Sequence, residues 1–250
     1  MWYEVPVSVN GYSYVARYSD AAYEQVIAPL LKRMADAYNQ LGRRTVVFLA
    51  GPPAAGKSTL ALLLEKIAPS VIEQTVQAVG LDGFHCYNSY LRTRAITRDG
   101  EQIPLAAIKG APETFDVAHF ADKLQALRGR KTVLWPLYDR RIHDPVEDAI
   151  EVAAPIVIVE GNWLLLDELP WSELAPLADL TIFLAADEAD VRERAVSRKA
   201  QGGISRSEAE EHYDRTDGPN IRRALGHSRK ADITIRLTSK GDLEVYDSQS

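Results

Sequence analysis

Apolar positions along this chain follow three rhythms, and each predicts a different kind of element. From residue 45 onward, near-continuous apolar runs at 45–50, 77–81, 132–135, 156–159, 180–184 and 233–237 predict strands buried on both faces, as in a covered parallel sheet. Helical stretches at 58–67, 117–127, 187–201 and 206–225 separate them. Strand–helix alternation at these lengths predicts an α/β fold, a doubly wound and mainly parallel sheet. Before residue 45 the rhythm is different. The segments 5–9 and 12–15 alternate apolar and polar residues around Asn10-Gly11, a pair suited to a two-residue type I′ turn, and Pro6 assigns this hairpin an edge strand. From Ser19 or Asp20 as N-cap, Tyr23, Val26, Ile27, Leu30, Leu31, Met34, Tyr38 and Leu41 recur at spacings of three and four, the mark of a helix with one buried face. Gly42 should end it, and Pro29 should kink it or start a fresh first turn. Residues 1–44 are therefore expected to be a hairpin-plus-helix appendage, and 45–250 the main domain, without an internal repeat or a linker.

Composition narrows the class. At 250 residues, 46% hydrophobic and 26% charged, the chain is neither disordered nor collagenous nor coiled-coil. A single cysteine, Cys86, excludes a disulfide framework. No apolar run approaches the roughly 20 residues a bilayer crossing needs. The N-terminus shows neither the basic nor the apolar region of a signal peptide, so a cytoplasmic location is expected. A net charge of −6 disfavours nucleic acid and anionic membranes as partners. The oligomeric state stays open, a homodimer included.

The strongest chemical signal is Gly51-Pro52-Pro53-Ala54-Ala55-Gly56-Lys57-Ser58, followed by Thr59. It matches the phosphate-binding loop pattern, in which backbone N–H groups cradle a polyphosphate, the lysine neutralises the β and γ phosphates, and the serine hydroxyl can ligate Mg²⁺. The predicted strand at 45–50 before it and helix at 58–67 after it set it apart from an ordinary Gly-rich turn. Asp82, in Gly80-Leu81-Asp82-Gly83-Phe84-His85, emerges at the carboxyl end of a predicted strand, where a base that takes an acceptor's proton would be placed. The bland alternative is that Asp82-Gly83 is only a turn. Glu160, ending the run Ile156-Val157-Ile158-Val159, could hold Mg²⁺, although apolar strands often end in an acid. No Cys and His grouping has metal-ligand spacing, which leaves Mg²⁺ brought with ATP as the expected metal.

These residues resemble the P-loop kinases that include bacterial pantothenate kinase, uridine kinase and phosphoribulokinase, over about residues 45–237. Asp82-Gly83-Phe84 looks like the Asp-Gly-Phe of pantothenate kinases, whose Asp is the base. The segment 109–116, from Lys109 to Asp116, is similar to their Lys-Gly-x-Pro-Glu-Ser-Tyr-Asp run. Pro136-Leu137-Tyr138-Asp139 followed by His143 is similar to a uridine kinase segment whose Tyr and His contact substrate, and Glu160-Gly161 matches a Glu-Gly shared by all. Two departures stand out: Gly110 occupies the place of the ribose-binding acid of uridine kinases, and the chain lacks much of the pantothenate kinases' C-terminal region. Bacterial nucleoside/nucleotide kinase family proteins, some named fructose-transport-associated kinases, share Asp-Gly-Phe-His, Lys-Gly-Ala-Pro-Glu-Thr-Phe-Asp and, at 217–220, Asp-Gly-Pro-Asn.

The resemblance implies an ATP-dependent kinase that moves the γ-phosphoryl group to a hydroxyl of a small metabolite. A lid is expected at about 186–228. Residues 192–230 hold ten Lys and Arg against six Asp and Glu, and Arg194 with Arg198 form a like-charged i,i+4 pair that an anion would relieve. Arg192, Arg194 and Arg198 are therefore candidate phosphate contacts, Arg194 a catalytic one; opposite-sign pairs such as Glu188 with Arg192 offer a solvated-face alternative. Gly202-Gly203 reads as a hinge or a helix end. His85, Tyr87, Lys109, Tyr138 and His143 are candidate acceptor contacts, of which His85, Lys109, Tyr138 and His143 are expected to line one cleft with Asp82; Arg92 and Arg94 fit a surface loop, and His119, His212 and His227 fit structural roles. The competing reading, a regulatory nucleotide switch, lacks the guanine-reading Asn-Lys-x-Asp motif.

Overall fold

The computed structural model describes residues 2–9, 12–98 and 100–246. The chain opens with strands β1 (Trp2–Val9) and β2 (Tyr12–Ser19), paired antiparallel. The Asn10-Gly11 turn expected between them lies outside the described residues. Ser19 then caps α1 (Asp20–Ala22), its hydroxyl accepting from the Ala22 amide at 3.1 Å. A π turn, Tyr23–Ile27, follows, and α2 (Ala28–Leu41) carries Pro29 in its first turn, where the missing amide costs least. Gly42 closes α2 in the left-handed region at φ 62°.

The alternating part comprises β3 (Thr45–Ala50), α3 (Lys57–Ile67), β4 (Val76–Gly80), the short α4 (Asn88–Leu91), the hairpin β5 (Ala95–Arg98) and β6 (Glu101–Pro104), and α5 (Val117–Gly129). After them come β7 (Val133–Asp139), β8 (Asp144–Val152), β9 (Ile156–Gly161), β10 (Leu180–Ala185), α6 (Glu188–Gln201), α7 (Arg206–His212), α8 (Gly218–Gly226), β11 (Ile233–Leu237) and β12 (Leu243–Val245). The main sheet runs β12-β11-β10-β3-β9-β4, parallel except for β12 at one edge.

Burial on both faces explains the continuous apolar runs. Val47 and Leu49 of β3 join a core with Leu31 and Met34 of α2 and Leu60 of α3, whereas Val46, Phe48 and Ala50 join a second core with Phe120, Trp135 and Trp163. Strand β9 divides in the same way, Ile158 to the first core and Val157 and Val159 to the second. Val7, Ala16 and Tyr18 of the N-terminal hairpin belong to the first core too.

One predicted strand is placed differently. The run 132–135 lies in β7, which joins no main-sheet strand and forms an antiparallel hairpin with β8. Its apolar run had suggested two buried faces, but Leu134 and Leu137 are exposed at 44% and 48%, and only Val133, Trp135 and Pro136 face inward. The hairpin β5–β6 and strand β12 had no predicted counterpart, being short and polar on one side. The long helix predicted over 206–225 is interrupted by a π turn, Tyr213–Asp217. Gly202 turns out to cap α6.

A buried ionic knot ties these layers together. The Asp179 carboxylate, 4% exposed, accepts from Arg43 at 2.7 and 2.9 Å, from Arg128 at 2.7 Å and from the Val46 amide at 3.0 Å. Burial pushes its carboxyl up, but the hydrogen bonds from Arg43, Val46 and Arg128 together outweigh this and hold it below the usual range. Asp179→Ala would strand two half-buried guanidiniums; a loss of about 3 kcal/mol, the low end of the range for breaking a buried pair, is expected in urea unfolding. Because the folded pKa is depressed, this contribution is present above the unfolded carboxylate's pKa and fades as pH falls through the folded value. The wild-type advantage over Asp179→Ala should therefore shrink only in acid.

Candidate active site

Strand order decides what meets at the carboxyl edge of the sheet. β3 leads into the loop 51–56, β9 beside it carries Glu160, and β4 beside β9 leads into Asp82. The loop bends through Ala54 and Gly56, at φ 64° and 95°, and Gly56 to Thr59, where α3 begins, line the open side. Two glycines then press the acids inward. A Cβ on Gly83 would sit 2.2 Å from the Pro136 carbonyl oxygen, and one on Gly161 would sit 2.6 Å from Leu81 Cβ. Glycine at both positions lets the turn Leu81–Phe84 wedge between β7 and β9, which holds Asp82 close to Glu160.

Lys57 is only 6% exposed, and its Nζ donates to the Pro52 carbonyl at 2.8 Å and to Asn162 Oδ1 at 2.7 Å. Burial pushes its ammonium down to about 8, against the pull of Glu160 and Asp82. Burial likewise pushes the Glu160 carboxyl up, opposed first by Lys57. Ser58 Oγ donates to Glu160 Oε1 at 2.8 Å. Asp82 Oδ2 lies 3.6 Å from Arg140 Nη2.

These groups line one cavity of about 680 Å³, which also receives Arg194 and Arg198 from α6. Arg194 Nη2 donates to the Thr238 carbonyl at 3.1 Å, while its Nη1 is buried without a hydrogen-bond partner among the described residues. Arg192, grouped with them by sequence, does not line the cavity; its guanidinium lies over the Tyr213 ring, 5.2 Å from the centroid. Two residues along a helix are some 200° apart, so Arg192 cannot share a face with Arg194. Glu188 pairs with Arg222 at 3.1 Å.

A second cavity of about 200 Å³ opens on the other side of Asp82 and Glu160, bounded by Gly80, Tyr138, Arg140 and Ile150. Behind it stands a linked cluster. His85 Nδ1 is 2.8 Å from the Asp82 carbonyl oxygen, and its ring is 5.0 Å from that of Tyr138. Burial pushes the His85 imidazole below its ordinary value. Lys109 Nζ donates to Asn88 Oδ1 and to the His143 carbonyl, both at 2.7 Å, and lies 5.1 Å from the Tyr138 centroid. Tyr138 Oη donates to the same His143 carbonyl at 2.9 Å. His143 thus enters the cluster through its backbone, at φ 55°, and of the five residues expected around one cleft only Asp82 and Tyr138 line either cavity. Tyr87 stands apart, 44% exposed, its hydroxyl donating to Glu147 at 3.3 Å.

Some groups at the site had no motif to announce them. Asn162 and Arg140 fall two residues beyond Glu160 and Tyr138, so the strand ends could have suggested them. Tyr14 and Arg17, from β2, also line the larger cavity, and no local signal marks them.

Residues 46–214 match the model of the phosphoribulokinase / uridine kinase family. The chain belongs to that family. It is thereby a kinase built on a P-loop nucleotide-binding fold. An uncharacterised Escherichia coli K12 protein, YggC, is 47% identical over 241 residues, 95% of this chain and 97% of its own. A provisionally named uridine kinase of Schizosaccharomyces pombe is 31% identical over 79% of this chain and 87% of its own. Among solved structures, a provisionally named fructose transport system kinase from Silicibacter sp. TM1040 superposes with a TM-score of 0.76 at 31% identity, over 84% of this chain and 98% of its own. Among the described residues, no helix of this kinase is long and apolar enough to cross a membrane.

Proposed function

We propose that this kinase uses MgATP to phosphorylate a hydroxyl of a small metabolite. The observation that carries the reading is the convergence of Lys57, Ser58, Glu160 and Asp82 on one cavity with the arginines of α6. The site suits a polyphosphate: the loop from Pro53 and the start of α3 line it, Lys57 is buried beside it, and Arg194 Nη1 has no acceptor among the described residues. Bound ATP supplies the phosphoryl group, with Mg²⁺ to neutralise its charge. Gly51 through Thr59 hold the phosphates, Lys57 balances their charge, and Ser58 with Glu160 forms the metal-binding pair. Mg²⁺ keeps most of its waters, so so small a protein share is enough. Asp82 orients the acceptor hydroxyl and takes its proton. Arg194 and Arg198 steady the charge in transfer.

The acceptor is assigned to the side of Asp82 where the second cavity opens and Tyr138 and Arg140 face it. Arg140 beside the base favours a polar or acidic acceptor over a bare nucleobase. The names of the relatives keep sugars and nucleosides among the candidates, and the Asp-Gly-Phe match adds pantothenate. The test is ADP release on adding each class of acceptor: a stimulation is expected for one class, and none by any hydroxylated metabolite would end the reading. Lys109 ties the β7–β8 hairpin to Asn88, so Lys109→Ala should loosen the acceptor side. Since a hydrogen bond to a charged group contributes about 1.5–3 kcal/mol, the acceptor KM should rise about tenfold or more with the ATP KM little changed.

A further inference from the structure

The N-terminal hairpin lies outside the family-matched segment, yet it walls the larger cavity. Its ladder shows how. Pro6 faces Val15 in the register, and a residue without an N–H sits at a pair that exchanges no ladder bonds. Alternation then points the backbone N–H and C=O of Val15, Arg17 and Ser19 away from β1. Two contacts agree with this parity: the Ser19 amide donates to Asp242 Oδ1 at 3.2 Å, and the Pro6 carbonyl accepts from Lys66 on the opposite edge. The outer edge of β2 therefore borders the β11–β12 turn. On the same strand, the Tyr14 hydroxyl bonds Thr59 Oγ1, next to Ser58, and Tyr18 is buried in the first core.

Topology orients a nucleotide in this cavity. Asp82 follows β4 at one edge of the sheet, the phosphate loop follows central β3, and Leu237 and Leu243 belong to β11 and β12 at the other edge. A terminal phosphate directed at Asp82 leaves the nucleoside to extend toward β12, where the apolar pair Leu237 and Leu243 meets the hairpin. We propose that the β1–β2 hairpin is the nucleoside wall of the donor site, with Arg17 and the outer edge of β2 meeting the base and ribose. Tyr14 acts as a positioning residue, holding this wall to the loop through Thr59. Arg17 lies on the strand face opposite Tyr14 and Tyr18, its side chain 66% exposed and 3.0 Å from cross-strand Glu4, so it meets a nucleoside at the open rim of the cavity, where a planar guanidinium stacks on a purine. The proposal rests on the ATP-kinase reading above.

The test is calorimetric titration of wild type, Arg17→Ala and Tyr14→Phe with ATP, GTP and inorganic tripolyphosphate, with melting curves to show that each variant is folded. A stacking or cation–π contact is worth about a tenfold change in Kd, so Arg17→Ala should weaken ATP about tenfold and leave tripolyphosphate within about twofold. Tyr14→Phe should reduce the preference for ATP over tripolyphosphate in the same direction. Unchanged ATP affinity in folded variants overturns the hairpin's role while leaving the kinase reading intact. Equal losses for ATP and tripolyphosphate also overturn it, since the hairpin would then only brace the loop. Failure of the wild type to bind ATP overturns both.

Discussion

Asp82→Asn is expected to lower kcat with the true acceptor by about 10²–10⁴ while leaving the affinity for MgATP close to that of the wild type. The amide keeps the shape of the carboxylate and the turn that carries it, because Gly83 and Gly161, not the acid, set the approach of Leu81–Phe84 to β7 and β9. What is lost is the ability to accept the hydroxyl proton as the phosphorus–oxygen bond forms. The ion pair between Asp82 and Arg140, 3.6 Å apart, would be lost at the same time. Single-turnover kinetics at saturating acceptor, paired with a nucleotide titration, separate the two effects. Full kcat in the variant would remove Asp82 from the chemistry, and with it the assignment of the acceptor side.

Lys57→Ala should abolish measurable turnover, with a loss of at least about 10²–10³ expected from removing one preorganised donor to developing charge. It should also weaken ATP binding. The fold should survive, since among the described residues Lys57 bonds the Pro52 carbonyl and Asn162 at the cavity floor and takes no part in either apolar core. Melting curves and calorimetry check both halves of the expectation, and near-normal turnover by a folded variant would displace the site. The wild type carries a related pH signature. With the free ammonium pushed down to about 8, ATP should select the protonated lysine. Affinity should be complete below that value and decline as pH rises through it, until the raised pKa of the bound state is passed. Half-buried Glu160, its carboxyl pushed up by desolvation, adds a second titrating group, so the decline should be compared with that of Glu160→Gln.

Much of the site was legible because local backbone chemistry carries it. The loop 51–58 needs left-handed bends, a short-chain helix start and a lysine at a set spacing, and each requirement is a residue type visible in the chain. Apolar runs foretold β3, β9 and β10 because two cores press on the sheet from opposite sides, and β11 because Ile233, Ile235 and Leu237 face the first of them. The same rule failed at 132–135, where a run of equal hydrophobicity pairs with polar β8 and leaves Leu134 and Leu137 in solvent. Periodicity reports how apolar a stretch is; the partner strand is chosen by contacts far along the chain.

The sequence by itself determined the phosphate loop, the helices that flank the sheet, and Asp82 and Glu160 as acids ending strands. Only the tertiary structure decided which acids share a cavity, since that depends on β9 inserting between β3 and β4. It also separated Arg192 from Arg194 and Arg198, a matter of helix face, and brought in His143 by its carbonyl, a matter of backbone turn. Tyr14 and Arg17 reach the site from about forty residues before the loop, because Val7, Ala16 and Tyr18 share the core beneath α3. No spacing rule spans such a distance: the hydrophobic effect that seats the hairpin is non-directional, and its outcome is fixed only when the whole core is packed.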